Sequence, residues 1–472
     1  MKQVLKTKSL LSVTLILLST LAAMAQKDKM QKSVEKSIER GQEMVDNLIV
    51  NQPIWSINSS IYEVNLRQYS ANSNFKNFEK ELPRLKSMGV DILWFMPIHP
   101  IGEKSRKGTL GSYYAVKDYL AVNEEFGTME DFKHLVDYAH SLGMHVIIDW
   151  VANHTSPDNK WTETHPEFYT KDAEGKFVAP VSDWTDVIDL NYDNKELRKA
   201  MTEALKFWLV NTKIDGFRCD VAEMVPLDFW VEAAKELRAV NPNLFMLAEG
   251  EKPELHTAFN MTYTWKYFNL TKKIATGEYP ARVIDDYLAE DRVTYSPKAV
   301  RMYFTTNHDE NSWNGTEKEL FGEGAKSFYV LCATLKGMPL LYSGQEAGLD
   351  KRLKFFDKDP MEWKNYSNAD FYTRLLSLKK RSNALLHSES GGSFGKILNN
   401  NPNQVYSFFR KKGNDEIVVI VNLSNSEARV KFDRYAFAPE YTELFTDKKG
   451  TLVIDENVTL KPWEYRVYVK GK

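Results

Sequence analysis

Short apolar runs alternate with amphipathic segments along most of the chain after Pro53. Eight of the runs are rich in β-branched and aromatic residues and predict strands. These strands span residues 60–65, 91–96, 145–151, 215–221, 244–249, 259–264, 300–306 and 338–343. Helical periodicity predicts helices at 75–88, 129–142, 195–211, 227–240, 281–291, 325–336 and 371–383. Strands that alternate with helices in this way predict an α/β fold, a closed (β/α)8 TIM barrel.

Two departures from this alternation predict the domain organisation. The stretch between Asn153 and Asn191 is too long for a simple connection and predicts a subdomain inserted at about 154–190. After Gly391 the apolar positions alternate with period two, and no helical pattern follows. The expected strands are at 404–410, 416–422, 428–432, 451–454 and 464–469. We therefore predict a helical lead-in at 26–52, a barrel at 53–385 and a C-terminal antiparallel β-sandwich at 390–472.

The first 25 residues have the pattern of a secretory signal peptide. Three lysines lie among the first eight residues, the apolar run 10–24 follows, and small residues occupy Ala23 and Ala25. The apolar run is short for a membrane span. We predict cleavage after Ala25, a periplasmic or secreted protein, and no membrane span in the mature chain.

Composition limits the classes of partner. The formal net charge is −2, and a nucleic-acid-binding protein needs a basic surface, so nucleic acid is not the expected partner. Aromatic residues make up 12% of the chain, which suits sugar binding because sugar rings stack on aromatic faces. The two cysteines, Cys219 and Cys332, lie in apolar runs, so packing rather than disulfides is expected to stabilise the fold.

Charged and polar residues end four of the predicted strands. The segments are Asp-Trp-Val-Ala-Asn-His at 149–154, Gly-Phe-Arg-Cys-Asp at 216–220, Leu-Ala-Glu-Gly at 247–250 and Thr-Asn-His-Asp at 306–309. A single acidic residue at a strand end is often a helix cap or a solvated loop residue. In a barrel, however, all of these ends meet at one mouth, which would bring Asp220, Glu249 and Asp309 together.

Three such carboxylates suit glycoside hydrolysis with retention of configuration. One carboxylate attacks the anomeric carbon and a second carboxylic acid protonates the leaving oxygen. Asp220 suits attack because Arg218 lies on the same face of the strand and is expected to lower its pKa. Glu249 suits the acid because like charges nearby would raise its pKa. Asp309 would stabilise the cationic transition state, and His154 and His308 would donate hydrogen bonds to the sugar.

These four segments resemble the signature regions of the α-amylase family, glycoside hydrolase family 13, and the resemblance extends from about Ile54 to the C-terminus. The first region matches at Asp149, Asn153 and His154, the second at residues 216–220, and the others at Glu249 and His308-Asp309. The resemblance implies Asp220 as nucleophile, Glu249 as acid/base and Asp309 as transition-state stabiliser. It also implies Tyr114 as the aromatic platform under the reacting sugar. Tyr114, Asp149, His154, Arg218 and His308 would form the substrate-binding set.

Some positions depart from the pattern of typical α-amylases. Lys-His, which there contacts the leaving-group sugars, is replaced by Glu223 and Met224. Val221 and the segment 187–191 are more similar to the oligo-1,6-glucosidase and neopullulanase branches. An acidic residue that closes the pocket of exo-acting relatives is Gly111 here, which favours internal cleavage.

The resemblance also implies calcium, because Asn153 matches a ligand in members that carry the ion. Calcium needs six to eight oxygen ligands, and Asp183, Asp186 and Asp189 are candidates for further ones. The ion would be structural and remote from the chemistry. No organic cofactor is expected.

The sequence therefore predicts a retaining hydrolase of α-1,4 or α-1,6 bonds in starch- or maltodextrin-type glucans. A 4-α-glucanotransferase remains open because it uses the same chemistry and differs only in the acceptor. A non-catalytic glycan-binding barrel is the alternative from another class. Linkage, chain length and oligomeric state are left open by the sequence.

Overall fold

The computed structural model describes residues 48–363, 365–433, 440–450 and 457–470. Contacts divide the chain into two compact units, Met1–Ile49 and Val50–Lys472, and the fold described below belongs to the second. The predicted signal peptide and residues 26–47 of the predicted helical lead-in lie outside the described residues. No helix in the described part of the chain is long and apolar enough to cross a membrane.

Eight short parallel strands close into a barrel, which confirms the predicted (β/α)8 fold. Each strand pairs with its neighbours in chain order, and the eighth pairs with the first. The strands are β1 (Ile61–Val64), β2 (Ile92–Phe95), β3 (His145–Trp150), β4 (Gly216–Cys219), β5 (Phe245–Ala248), β6 (Met261–Tyr263), β7 (Val300–Tyr303) and β8 (Met338–Tyr342). Both faces of these strands are buried, which explains why their sequences are almost continuously apolar.

Helices surround the barrel, and most of them bury an apolar face against it. They span Leu66–Tyr69, Phe75–Glu79, Leu82–Met88, Met129–Ser141, Trp161–Thr164, Lys195–Thr212, Leu227–Val240, Trp265–Ala275, Val283–Thr294, Glu317–Phe321, Ala325–Thr334 and Ala369–Arg381. Thr128 and Asp131 form a reciprocal capping box that starts one of them, and Asn194 caps another. The predicted helix at 75–88 is interrupted at residues 80–81, and Pro83 stands in the first turn of its second part.

The predicted excursion lies between β3 and the helix Lys195–Thr212. His154–Thr155 and Ile188–Asp189 pair as two short antiparallel strands that close its base. Between them lie the helix Trp161–Thr164 and a bridge between Lys171 and Phe177. The insertion therefore starts and ends beside the carboxyl end of β3.

Antiparallel strands form the C-terminal part in two sheets. The strands are β9 (Ser393–Lys396), β10 (Val405–Lys412), β11 (Asp415–Asn422), β12 (Ala428–Val430), β13 (Tyr441–Glu443), β14 (Lys449–Gly450), β15 (Val458–Leu460) and β16 (Tyr465–Lys470). Six of them form one sheet in the order β9-β10-β11-β16-β13-β14, and β12 pairs with β15. Val418 and Ile420 on one face of β11 pack with Leu460 of the smaller sheet, while Ile417 and Val419 on the other face join the barrel core. The central strand β11 of the six-stranded sheet is therefore buried on both faces.

Candidate active site

The carboxyl ends of the parallel strands place the predicted functional residues at one rim of the barrel. Asp149 is on β3, Asp220 directly follows β4, and Glu249 directly follows β5. His308 and Asp309 follow β7 after a short connection. Residues that are up to 160 positions apart in the sequence therefore meet at the same mouth.

Arg218 lies fully buried at the centre of this cluster. Its Nη1 donates hydrogen bonds to Asp149 Oδ1 and to Asp220 Oδ1, both at 2.9 Å. Its Nη2 lies 2.9 Å from Glu249 Oε2. The carboxyl groups of Asp220 and Glu249 thus face the same guanidinium group from neighbouring strands.

Val221 has an unusual backbone conformation that helps to position Glu249. Its φ of 36° and ψ of 46° are in the left-handed region, which is unfavourable for a β-branched residue by about 1–3 kcal/mol. In this conformation the Val221 N–H donates to Glu249 Oε2 at 2.7 Å. The strained residue directly follows the predicted nucleophile, Asp220, and its N–H group orients the predicted acid, Glu249.

Tyr114 and Asp149 form the opposite side of the cluster. The Tyr114 hydroxyl donates to Asp149 Oδ2 at 3.1 Å, and Trp94 Nε1 donates to the same oxygen at 3.2 Å. The Tyr114 ring is stacked on the His308 imidazole with a centroid distance of 5.6 Å. Tyr114 is therefore held in one orientation from two sides, as a platform requires.

His308 lies between two acidic residues. Its Nδ1 is 2.5 Å from Glu63 Oε1, and its Nε2 is 2.7 Å from the Tyr114 hydroxyl and 3.3 Å from Asp309 Oδ2. Burial opposes the charged imidazole, but Asp309 and Glu63 outweigh it and raise the pKa of His308 to about 9. His308 is thus a cation at neutral pH.

Two carboxyl groups of the cluster, those of Glu249 and Asp220, have raised pKa values. Burial, together with Asp220 and Asp309, raises the pKa of Glu249 to about 7, although Arg218 opposes the shift. Burial and Asp149 raise the pKa of Asp220 to about 6, again against Arg218. The expectation that Arg218 gives Asp220 a lowered pKa is therefore wrong in sign, because desolvation exceeds the attraction of the guanidinium.

Among the described residues, His154 makes no hydrogen bond to the carboxylate cluster. Its Nδ1 is 3.3 Å from Asn153 Nδ2, and its ring packs edge-on against Trp184 of the excursion. Burial lowers the pKa of His154 to about 3, so the imidazole is neutral. It can donate one hydrogen bond but carries no charge toward a substrate.

Sequence reasoning missed three residues of this site. Glu63 on β1 is fully buried and contacts His308, Tyr263 on β6 accepts a hydrogen bond from Arg218 Nε at 3.2 Å, and Trp94 on β2 contacts Asp149. A signal exists only for Glu63, which is a carboxylate inside an otherwise apolar strand. Tyr263 and Trp94 have the pattern of ordinary core aromatics.

The surroundings of Asn153 do not assemble a calcium cage among the described residues. The Lys107 ammonium lies 3.0 Å from Asp186 Oδ1 and donates to the carbonyl oxygen of Asp183. Asp189 Oδ2 accepts a hydrogen bond from Thr170 Oγ1 at 2.6 Å. Two of the acidic groups expected to join Asn153, those of Asp186 and Asp189, therefore have other partners, and calcium requires six to eight oxygens.

A different group of residues in the described chain has the composition of a metal site. His140, His145 and Asp215 place one ligand atom each within 4.8 Å of one another. Asp215 accepts from both imidazoles at 2.8 Å and from the Val146 N–H at 2.7 Å. His145 begins β3, so this group is at the amino ends of the strands, away from the carboxylate cluster.

A family model described as alpha amylase, catalytic domain, matches residues 74–186 and 181–416 of the chain. The matched range includes Tyr114, Arg218, Asp220, Glu249 and Asp309. It covers nearly the whole barrel and the first strands of the C-terminal sheets.

Solved and curated relatives agree with this match. A maltogenic alpha-amylase from Thermotoga neapolitana is 30% identical with a TM-score of 0.81, covering 89% of this chain and 100% of that chain. The alpha-amylase MalA of Haloarcula japonica is 24% identical over 80% of this chain, and the match spans 57% of that protein's length. An alpha-1,4-glucan:maltose-1-phosphate maltosyltransferase of Arcanobacterium haemolyticum is 30% identical over 48% of this chain and 35% of its own length.

Proposed function

The chain belongs to the alpha-amylase family, and on that premise we propose that it hydrolyses α-glucosidic bonds of starch- or maltodextrin-type glucans with retention of configuration. The observation that carries the proposal is the contact of one buried guanidinium, Arg218, with both Asp220 and Glu249. A pair of carboxyl groups at one mouth, with pKa values of about 6 and about 7, can supply an anion and an acid at the same pH.

In the first step Glu249 gives its proton to the glycosidic oxygen while Asp220 attacks the anomeric carbon. The bond between that carbon and the leaving oxygen breaks, and an ester between the sugar and Asp220 forms. Water then attacks the same carbon as Glu249 takes its proton, and the ester bond breaks. Asp309 and Asp149 carry negative charge beside the reacting ring, and Tyr114 supports its face.

Glu249→Gln is the experiment that tests this function. The amide keeps the size of the side chain but carries no acidic proton, so turnover of maltooligosaccharides is expected to fall by about 10²–10⁴-fold. Pullulan and isomaltose in the same assay would define the linkage. Proton NMR of the first products should show the α-anomer, and initial release of the β-anomer would contradict retention.

A 4-α-glucanotransferase is the second candidate function. It is supported by the similarity to a maltosyltransferase, so the assay should also detect transfer products. Both reactions pass through the same ester, and only the acceptor differs. Products longer than the substrate, formed from purified maltotriose, would identify transfer. A non-catalytic glycan-binding barrel would show no turnover and no effect of Glu249→Gln.

We also propose that the protein is exported and that it acts in the periplasm or outside the cell. The support is the lysine-rich start, the apolar run 10–24 and the small residues Ala23 and Ala25. Mass spectrometry of the protein from its native envelope or medium should give an N-terminus at Gln26. An intact Met1 would contradict export by this signal.

For metal ions we propose that calcium has no part in the chemical step and that any calcium bound at Asn153 is structural. The support is that Lys107 and Thr170 already engage the neighbouring acidic residues Asp186 and Asp189. Dialysis against a chelator should leave kcat within twofold at a temperature well below unfolding, while a fall in the melting temperature would show that a structural ion had been bound. Loss of activity that returns with added calcium would overturn this proposal.

A further inference from the structure

A row of aromatic rings leads from the sugar platform to the surface. The Phe355 ring lies parallel to the Tyr114 ring, with an angle of 13° and a centroid distance of 6.1 Å. Trp313 packs on Phe355 at 5.1 Å and on Phe356 at 5.8 Å. Trp313 is nevertheless 52% exposed, which is unusual for a tryptophan supported on one side by two rings.

Two loops that join in front of the barrel hold this row in place. Thr109 N and Oγ1 donate to Asp357 Oδ1 at 2.8 and 2.7 Å, and Leu110 N donates to the Phe356 carbonyl at 2.9 Å. Gly108 fits here because a Cβ would lie 2.5 Å from Phe356 Cβ. The loop that carries Phe355 and Phe356 is therefore fixed against the loop that leads to Tyr114.

The segment that carries Trp313 is fixed to the same loop. Trp313 lies in the helical turn Glu310–Asn314, which directly follows Asp309. The Asn311 side chain donates to the Lys351 carbonyl at 3.0 Å and accepts from Leu353 N at 2.9 Å. The exposed face of Trp313 is thus held at a set distance from the catalytic rim before any ligand binds, which lowers the entropic cost of stacking.

The two positions that contact leaving-group sugars in typical α-amylases offer no comparable support in the described structure. Glu223 replaces a residue that contacts sugar in typical α-amylases, and its Oε1 accepts the backbone N–H groups of Glu251 and Lys252 at 2.6 and 3.0 Å. Its neighbour Met224 is exposed and has no donor for a hydroxyl group. Binding energy for a longer chain is therefore expected on the side of the aromatic row.

We propose that Trp313, backed by Phe355, is the stacking surface for the glucose unit next to the one on Tyr114. The exposed ring binds the flat C–H face of that second sugar and makes the site selective for glucan chains over single glucosides. This assignment rests on the proposed function, because it extends the same cleft by one sugar.

Trp313→Ala, Trp313→Phe and the control Tyr279→Ala test the assignment in the full-length protein. Tyr279 is also a partly exposed aromatic, at 38%, and it lies in the loop that follows the helix Trp265–Ala275. For each variant, kcat/KM is measured on maltopentaose and on 4-nitrophenyl α-glucoside. The ratio of the two values should fall about tenfold in Trp313→Ala, recover in part in Trp313→Phe, and stay constant in Tyr279→Ala.

A binding experiment separates this assignment from the proposed function. The same substitutions are placed in the Glu249→Gln background, and maltopentaose affinity is measured by calorimetry. Trp313→Ala should weaken binding about tenfold, and an unchanged affinity would overturn the assignment. If the wild-type protein turned over none of the substrates, the proposed function would fail, while the affinities would still decide the role of Trp313.

Discussion

Asp220 and Glu249 need opposite protonation states at the moment of reaction. The pKa values of about 6 for Asp220 and about 7 for Glu249 permit an ionised Asp220 beside a protonated Glu249 between those values. We expect kcat/KM to rise with pH through about 6 and to fall above about 7, and the two limbs belong to the interacting cluster as a whole. A pH series with 4-nitrophenyl α-glucoside measures this, and activity that still rises from pH 7 to pH 9 would disagree.

Replacing Glu63 tests whether this residue, which does not contact the sugar itself, positions His308. Glu63→Gln removes an anion from His308 Nδ1, so the pKa of His308 should fall below its value of about 9. We expect the midpoint of the His308 ring titration, followed by NMR, to move to lower pH, together with a lower kcat. Glu79→Gln is the control because Glu79 also contacts a histidine, His134, at the surface. Loss of kcat with an unchanged His308 titration would show a merely structural role for Glu63.

At the residue scale, the sequence could predict those site residues that are identified by their position at the end of a strand. Asp220 and Glu249 directly follow strands and Asp309 follows β7 after a short connection, and the strand pattern suffices to bring them together. Glu63 was missed because its partner His308 is 245 positions away in the sequence. The pKa of Asp220 was predicted with the wrong sign because the degree of burial at the rim depends on the closed barrel.

At the scale of elements, the group formed by His140, His145 and Asp215 at the amino ends of β3 and β4 makes the stability of the fold depend on pH. Asp215 raises the pKa of His140, so their ion pair adds to the free energy of unfolding. This contribution is present below about pH 6.5 and is lost as pH rises through the pKa of His140 in the folded protein. The histidines lower the pKa of Asp215, so its contribution is lost as the solution is acidified below about pH 4. Stability from this group is therefore greatest in mildly acidic solution.

His140→Ala measures that contribution. We expect a loss of about 1 kcal/mol at pH 6 and a smaller loss at pH 9, from urea unfolding at both pH values. His134→Ala is the control, since His134 pairs with Glu79 while its side chain is 74% exposed, and no measurable change is expected. An equal loss at both pH values for His140→Ala would mean that packing rather than charge is involved.

All eight barrel strands were predicted within a few residues of their bounds, because buried parallel strands are continuous apolar runs. The helix Trp265–Ala275 was missed. Its aromatic and Thr residues resemble strand composition, although Tyr267, Phe268, Thr271 and Ile274 are buried with helical spacing. The strands β9, β13, β14 and β15 were missed, because runs of two to four residues carry little periodicity, and the predicted strand at 451–454 lies outside the described residues.

At the scale of the whole molecule, Arg410 fastens the six-stranded sheet to the barrel. Its fully buried guanidinium donates to the carbonyl oxygen of Thr334, at the end of a barrel helix, at 3.0 Å. Arg410→Met leaves that carbonyl unpaired, and we expect the free energy of unfolding to fall by about 2–4 kcal/mol. Arg429→Met is the control, with a side chain 79% exposed, and should change it by less than about 0.5 kcal/mol. Equal effects in denaturant unfolding would contradict this link.

The sequence predicted the change from helices to antiparallel strands near residue 390, but not how closely the two parts are joined. Val50–Lys472 forms one compact unit, and residues of β10, β11 and β16 belong to the barrel core. Period-two alternation shows which residues share a face, and it carries no information about what covers that face. The predicted end of the barrel at 385 and the predicted start of the β-sandwich at 390 therefore remain predictions.

In the proposed mechanism Asp220 forms a covalent bond to the sugar while Glu249 supplies the proton, and trapping that bond is the most direct test. A fluorinated α-glucosyl fluoride slows the second step more than the first, so the ester accumulates and can be located by peptide mass spectrometry. The anomeric fluoride leaves as the ester forms, so we expect one fluoroglucosyl adduct on the peptide that contains Asp220, absent in Asp220→Asn. An adduct on Glu249 or Asp309, or no adduct during turnover that releases the β-anomer, would contradict the mechanism.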